Sequence, residues 1–340
     1  MPEARTRVIL FGLAAAMLIT AIVAAGIGPY RIAPIEVARM IVGRLSGAVD
    51  DGEAATVLFS VRLPRILGAA LTGAALSAAG AAYQNLFRNP LVSPDILGVS
   101  AGAGLGAVLA ILAGLPVVLV ELSGFLGGTL AVVLVALVAR SLRAHGDVLV
   151  LVLAGIVVGS LASAAVSLVK IVADPYQQLP IITYWLLGSL AGIRAEDVAV
   201  VAPTVLVGLV PLFLLRWRIG VLSLGEDDAR ALGVDVRETR VVVIASATLI
   251  TAAVVAVSGV VGWIGLMVPH TARLLVGNRF DRLLPASILL GAVFTMVVDT
   301  VARIAARIEI PIGILTALIG GGLFVWLLTH RRGDGAWRRP

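Results

Sequence analysis

A short charged segment between two long apolar stretches contains the side chains best suited to bind a partner. It reads LGEDDARALGV, residues 224–234, with three consecutive acids, Glu226, Asp227 and Asp228, followed by Arg230. A bilayer tolerates such charges only in water or against another protein. Glycines near both ends predict helix breaks and two short helical pieces. Because helix-forming Ala and Leu lie between the charges, the segment is expected to dock on a partner rather than form a disordered loop.

No pattern of histidines, cysteines or glycines in the sequence indicates an enzyme. The phosphate-binding pattern G-x-x-x-x-G-K-[ST] and the zinc-binding pattern H-E-x-x-H are both absent. Cysteine is also absent, and His145, His270 and His330 are scattered along the chain. A metal site, a disulfide or a thiol nucleophile is therefore not predicted. The chain is expected to bind no cofactor and to catalyse no reaction.

Composition and hydropathy predict an all-α integral membrane protein. Of 340 residues, 60% are hydrophobic, against about 45–50% in soluble domains. Runs of about 20 apolar residues can cross the bilayer, and the 37 glycines suit close helix packing. Ten spans are predicted, at residues 8–28, 66–83, 96–114, 117–139, 148–171, 197–215, 238–258, 262–276, 283–303 and 312–329.

The distribution of basic residues predicts how these spans are oriented. Both ends of the chain are arginine-rich, and an even number of spans places them on one side. Most of the 26 basic residues then fall on that side, which the positive-inside rule makes cytoplasmic. The net charge of +6 follows from this bias, so binding to nucleic acid is not expected. Residues 224–234 become cytoplasmic, whereas residues 29–61 form an outer loop and residues 176–190 a short outer helix or a simple aromatic belt.

The few acids in the predicted spans bear on how transport would be driven. Asp95, Glu121 and Asp299 all lie near the ends of spans. Carriers coupled to a proton or sodium gradient usually hold carboxylates near the midplane, beside broken helices. This placement argues against ion coupling, and an ion-coupled secondary transporter is the alternative from a different functional class.

Four arginines on the predicted outer side have two possible roles. Arg62 and Arg65 flank Leu63-Pro64 before the second span, and Arg303 and Arg307 lie at the outer end of the ninth. They could form an exposed basic rim for an acidic partner. Alternatively, such arginines could extend to lipid headgroups, or Arg303 could pair with Asp299 at i,i+4.

A rigid turn follows the second span. Pro90 and Pro94 exclude a helix through residues 89–95. Ser93 can cap the next helix, with Asp95 at its positive end. The turn could be purely structural, or it could form part of a gate.

Seven segments of this chain resemble one known family in their order and spacing. They are VRLPR (61–65), GAALSAAGAAYQNLFRNPLVSPDILGVSAGAG (73–104), LAG (153–155), WLLGSL (185–190), LGEDDARALGV (224–234), GWIGLMVPHTAR (262–273) and EIPIG (309–313). Together they resemble the membrane subunits of ABC importers that take up iron–siderophore complexes, haem and vitamin B12. The resemblance covers nearly the whole chain, which would form a single permease domain, residues 1–340, of the type II importer fold.

The resemblance implies the partners and the cargo. The permease would form a homodimer in the bacterial inner membrane, with both termini cytoplasmic. Two separate ATPase subunits would bind ATP and magnesium, and a periplasmic binding protein would deliver the cargo. An iron–siderophore complex or haem is the expected cargo, vitamin B12 is possible, and an oxyanion such as molybdate is compatible with the same fold.

The resemblance also implies residue roles. The residues expected to contact the ATPase are Leu224, Gly225, Glu226, Asp227, Asp228, Ala229, Arg230, Leu232 and Gly233. The expected partners of glutamates on the binding protein are Arg62, Arg65 and Arg303. The residues expected to form the cytoplasmic gate are Asn89, Leu91, Val148, Leu149 and Val152.

Overall fold

The computed structural model describes residues 3–28, 30–47, 52–142 and 148–330 of the chain, and all regular structure within these ranges is helical. The α-helices are α1 (Glu3–Gly26), α2 (Pro34–Leu45), α3 (Glu53–Thr56), α4 (Leu63–Leu86), α5 (Val99–Leu112), α6 (Val117–Ser141), α7 (Val148–Val172), α8 (Gln178–Leu187), α9 (Ala195–Leu214), α10 (Arg216–Leu222), α11 (Glu226–Ala231), α12 (Val236–Ser258), α13 (Ile264–Val276), α14 (Phe280–Ile304) and α15 (Ile312–His330). A π-helical stretch, Val57–Arg62, joins α3 to α4, and a 3-10 turn, Pro94–Leu97, precedes α5. The predicted all-α membrane fold is confirmed.

Each of the ten predicted spans coincides with a helix. Seven helices in the described part of the chain are long and apolar enough to cross a membrane. The other three predicted spans coincide with the shorter apolar helices α5, α13 and α15. At 1.5 Å per residue, the 14 residues of α5 and the 13 of α13 cover only about 20 Å. Both begin after a residue of left-handed conformation, Gly98 with φ +78° and Trp263 with φ +70°, so irregular backbone precedes each short helix.

Helix α4 is the central element of the packed core. The continuous helical segment Glu53–Leu86 contains α4, and 83% of the residues in its most apolar stretch are buried. The same fraction is 11% in the most apolar stretch of α1 and 17% in that of α7. Small residues allow the neighbours of α4 to approach closely. A Cβ on Gly80 would collide with the carbonyl of Gly265 in α13, and one on Gly73 would collide with that of Gly291 in α14. The helix therefore joins α13 and α14 into one tightly packed body.

The predicted outer loop, residues 29–61, is largely helical where the structure describes it. Helix α2 begins with Pro34 at its first turn, where a missing N–H costs nothing. Val37 and Met40 lie on one face of α2 and are buried. Helix α3 and the π-helical stretch complete the connection. The amphipathic helix α2 is too short to span a membrane, and its buried face packs against α1.

The predicted short outer helix at residues 176–190 coincides with α8, Gln178–Leu187. Its Ile182 is fully buried, and Gln178 donates from Nε2 to the carbonyl of Leu112 at 2.9 Å. Tyr176, just before the helix, is 89% exposed. The segment is therefore a helix that packs against the end of α5 and carries an exposed aromatic residue.

Candidate functional site

The charged segment, residues 224–234, contains one short helix, α11, rather than the two predicted pieces, and α10 (Arg216–Leu222) lies just before it across a sharp break. Gly225 has φ +139°, a conformation that L-residues avoid. Helix α11 ends in a Schellman motif, because Val234 N–H donates to the Ala229 carbonyl at 2.9 Å and Gly233 N–H to that of Arg230 at 3.0 Å. Ala229 and Val234 are both buried in the main core. The motif holds α11 rigidly against the core. Positive φ angles at Gly225 and Gly233 lie at the two breaks that the sequence predicts.

Ion pairs attach α11 to the following span. Glu226 accepts from Arg230 at 2.8 Å within α11 and also pairs with Arg240 of α12. In this second pair the Arg240 side chain is 8% exposed and the Glu226 side chain is 31% exposed, so the arginine is buried and the acid is partly solvated. Arg230 also pairs with Asp227 at 3.0 Å. Glu226 therefore connects the segment mechanically to α12, a structural role that its place in the sequence did not reveal.

The outer face of this element is available to a partner. Leu224 and Leu232 are 63% and 53% exposed, and Asp227 and Asp228 lie beside them in solvent. A cleft of about 570 Å³ adjoins this face between α10 and the start of α14. Gly225 and Ala229 are buried instead and support the backbone. The predicted residues thus divide into an exposed apolar and acidic face and a buried base.

Arg62 and Arg65, two arginines of the predicted basic rim, are buried rather than exposed, and Arg303 is only partly exposed. Arg62 is 3% exposed and Arg65 is 6% exposed, while the Arg303 side chain is 8% exposed. Arg62 donates to the carbonyl of Ala25 at 2.5 Å and also to that of Tyr30. The physical reason is that the last carbonyls of α1 lack helical partners and take arginine donors.

Arg65 lies at the centre of a buried ion cluster. Its guanidinium donates to Asp299 of α14 at 2.7 and 2.9 Å and to Glu309, just before α15, at 2.5 and 2.9 Å. Arg303 approaches Asp299 at 3.3 Å, the i,i+4 pair that was the alternative interpretation. Arg303 also donates to the carbonyl of Ala24 in α1 at 3.3 Å. Four segments of the chain therefore meet at these charges.

Two arginines on this side are exposed: Arg307, which belongs to the predicted rim, and Arg31, which sequence reasoning did not single out. Arg31 and Arg307 line a cleft of about 1300 Å³ together with Arg303. Both are exposed in the structure. The cleft has one acid among its described lining residues, Glu36. Its surface is therefore basic, although the residues differ from the predicted Arg62 and Arg65.

The predicted gate residues lie in two different environments. Leu91 and Leu149 are 52% and 62% exposed in the single chain. Val148 and Val152, at the start of α7, pack against the main core. Asn89 closes its own turn, since its Oδ1 accepts from the N–H of Leu91 at 2.9 Å. Because a gate would form between two copies, the gate assignment stays a prediction.

Gln84, which the sequence did not single out, holds the predicted rigid turn in place. Its Nε2 donates to the carbonyl of Val92 in the turn at 3.2 Å and to that of Leu266 in α13 at 3.1 Å. Gln84 itself is 2% exposed. A buried amide on an apolar helix is a signal that could have been noticed, because such a group needs partners.

The same turn also packs closely against α7. A Cβ on Gly155 would collide with the carbonyl of Ile96, and Pro94 lies against Gly265 of α13. Ser100 donates to the carboxylate of Asp95. Burial raises the pKa of Asp95, and this hydrogen bond opposes the shift. The turn therefore joins α4, α7 and α13 and is a structural junction whether or not it also forms a gate.

A family model for the FecCD transport family matches residues 5–330. The chain belongs to the FecCD transport family. The molybdate import system permease protein MolB of Haemophilus influenzae is 40% identical over 316 residues, 93% of this chain and 94% of MolB. The "probable iron chelatin transport system permease protein" of Helicobacter pylori is 39% identical over 281 residues, covering 82% of this chain and 83% of that protein.

A solved structure also resembles this FecCD protein along its length. It is described as an inward-facing conformation of a metal-chelate type ABC transporter. The two chains share 40% identity and superpose with a TM-score of 0.84, covering 95% of this chain and 99% of that one. The FecCD chain is therefore a multi-pass permease subunit of an ABC importer and not an enzyme, and ATP hydrolysis belongs to a separate subunit.

Proposed function

We propose that this FecCD protein is the homodimeric permease of an importer that carries a metal chelate, with a separate ATPase and an outer binding protein as partners. The observation that carries the proposal is the rigid α10–α11 element. It has an exposed face of leucines and acids, a buried base and an ion pair that leads into α12.

The element has the properties needed to pass on motion from an ATPase. A partner can contact Leu224, Leu232 and Asp227 without unfolding the segment, because the Schellman motif and the buried base hold α11 in its folded position. Displacement of α11 would then be passed to α12 through the Glu226–Arg240 pair. A flexible loop would absorb the same displacement, so rigidity is the feature that fits coupling.

The surface of α7 supports a second copy of the chain around a central path. One stripe of α7 exposes small and hydroxyl side chains, those of Ser160, Ser163, Ala164 and Ser167. Large apolar side chains, such as Leu161 and Leu168, are exposed beside them. The stripe of small and hydroxyl side chains suits a wetted path or a contact between helices. We therefore place the path along α7, between two copies.

The cargo is proposed from the relatives, which differ among themselves. The Helicobacter relative is named for an iron chelatin and the solved structure for a metal chelate, whereas the Haemophilus relative is named for molybdate. An iron–siderophore complex or haem is the cargo we favour, with vitamin B12 next. Identities of 39% and 40% do not separate iron chelate from molybdate, which is the competing cargo.

The proposed setting is the bacterial inner membrane with both termini in the cytoplasm. The basic residues near the two ends support it. In this orientation α10–α11 faces the ATPase, and the cleft with Arg31, Arg303 and Arg307 faces the binding protein. Docking on Arg62, Arg65 and Arg303 stays a prediction, and of these three only Arg303 lines the cleft.

The coupling role can be tested by charge reversal on the exposed face. Asp227→Lys should abolish co-purification of an ATPase co-expressed from neighbouring genes, because it reverses a charge on the proposed docking face. The fold should survive, since the side chain of Asp227 is fully exposed and supports no buried contact. Glu3→Lys is the matched control, since Glu3 is an exposed acid in the first turn of α1, outside the element. If the Asp227 variant retains the ATPase and the transport rate of the parent, the docking surface lies elsewhere.

The path and the cargo can be tested in liposomes that contain the permease, its ATPase and its binding protein. Ser163→Arg should stop transport, while Ser163→Ala should not. Radiolabelled ferric hydroxamate, haemin, cyanocobalamin and molybdate, each supplied alone with ATP, would identify the cargo. Uptake of molybdate only would overturn the chelate proposal, and uptake driven by an ion gradient without ATP would favour the secondary transporter.

A further inference from the structure

We propose that an anionic phospholipid binds in a crevice between α6, α7 and α12, with its phosphate held by Arg140 and Arg237. The crevice has a volume of about 680 Å³ and lies on the side of the molecule that carries α11. Its lining runs from Arg237 to Leu249 along α12, about 18 Å at 1.5 Å per residue. This proposal goes beyond the transport function and does not depend on the cargo.

The walls of the crevice fit acyl chains. They consist almost entirely of aliphatic and aromatic side chains, and Val133 and Val241 are 46% and 61% exposed there. Thr129 and Thr248 are the only uncharged polar residues among the described lining residues. The Thr129 hydroxyl already donates to the carbonyl of Phe125 at 2.9 Å. A long apolar groove with few polar groups suits a hydrocarbon chain better than a polar solute.

Three arginines at one end of the groove provide the charge that a phosphate needs. Arg140 lies in the last turn of α6, Arg237 in the first turn of α12, and Arg240 about one turn later. None of the described residues that line the crevice is acidic. Arg140 and Arg237 are exposed and form no ion pair with a described residue, whereas Arg240 is buried and pairs with Glu226. Two positive charges therefore remain for an anion at the membrane surface.

The position of the phosphate suggests why the lipid would matter. Arg240 lines the crevice and also holds Glu226 of α11. A phosphate beside Arg140 and Arg237 would add negative charge next to this pair and brace α6 against α12. The lipid would thus stabilise the helix that receives the coupling element.

Native mass spectrometry of the delipidated full-length permease can test this site. We expect dioleoyl phosphatidylglycerol to bind more tightly than dioleoyl phosphatidylcholine. Because one basic side chain near a membrane surface contributes about fivefold, Arg140→Gln with Arg237→Gln should weaken phosphatidylglycerol binding about 30-fold. Arg7→Gln, an exposed arginine outside the crevice, is the matched control and should change nothing. Equal binding of the two lipids, or unchanged binding in the double variant, would overturn the proposal.

A second variant separates the lipid from other occupants. Ala136→Trp should fill the groove and reduce the binding of phosphatidylglycerol without touching the arginines, because Ala136 is an exposed lining residue. The same spectra report the number of copies. If Ala136→Trp shifts dimer to monomer and leaves lipid binding unchanged, the crevice is a contact between copies and the proposal fails. Glycerol 3-phosphate should not compete, and competition at equal concentration would indicate a site for phosphate alone.

Discussion

Arg65 offers a sharp test of whether the predicted docking arginines are structural or serve mainly to dock a partner. In the structure it forms a bidentate pair with Asp299 and a second pair with Glu309, and its side chain is 8% exposed. Substitution by Met keeps the length of the side chain and removes the charge. We expect Arg65→Met to destabilise the permease on its own, in the absence of any binding protein.

The size of the effect follows from the groups left behind. Breaking a buried ion pair typically costs about 3–5 kcal/mol, because the remaining charge stays buried without its partner. Asp299 would keep Arg303 at 3.3 Å, and the Glu309 side chain is 24% exposed and can be partly solvated. Both facts favour the lower end, about 3 kcal/mol. For a chain of 340 residues this corresponds to a fall in melting temperature of about 4 °C.

Thermal unfolding of the detergent-purified chain measures this effect directly. Arg307→Met is the matched control, since Arg307 is an exposed arginine on the same side of the molecule, and its melting temperature should stay within about 1 °C of the parent. Asp299→Asn combined with Arg65→Met should cost less than the sum of the two single changes. A variant Arg65→Met that melts like the parent but binds the outer binding protein weakly would refute the structural role.

Three further changes test the close contacts on which the fold depends. Gly80→Ala should lower the free energy of unfolding by about 1–3 kcal/mol or more, because its Cβ would meet the carbonyl of Gly265. Yield and melting temperature should fall with it. Gly233→Ala should cost only about 1 kcal/mol, because φ is +77° but space is free, and should leave the melting temperature nearly unchanged while slowing coupled ATP hydrolysis. Gln84→Leu should increase protease cleavage near Val92, because the turn loses its buried donor; unchanged cleavage would contradict this role.

The lengths of the hydrophobic runs were enough to predict, in order, the ten helices that coincide with the predicted spans. Apolar stretches of about 20 residues have few alternatives in a bilayer, which explains why 117–139 and 283–303 lie within α6 and α14. The charged segment was equally predictable, since Gly225 and Gly233 mark the breaks that the structure shows. Local chemistry decides these features, so the sequence contains the information directly.

The partners of buried charges could not be predicted in the same way. Arg65 and Asp299 are 234 positions apart, and only the packing of α4 on α14 brings them together. Arg62 is buried because it meets the last carbonyls of α1, which no local pattern shows. Helix α2 was taken as loop because its amphipathic pattern is shorter than a span. In each case the missing information was a tertiary contact.

The contacts of α4 also explain how one chain can move as a body while its surface helices shift. Helix α4 is joined to α14 by the Arg65 cluster at one end and to α13 by Gly80 and Gln84 farther along. Helix α12 packs on α4 and receives α11 through Glu226. Helix α7 is held differently, since 17% of its apolar stretch is buried and Gly155 meets the 3-10 turn, Pro94–Leu97. We infer that force on α11 would move α4, α12, α13 and α14 together, and that α7 would follow through the turn, which places the largest relative motion at α7.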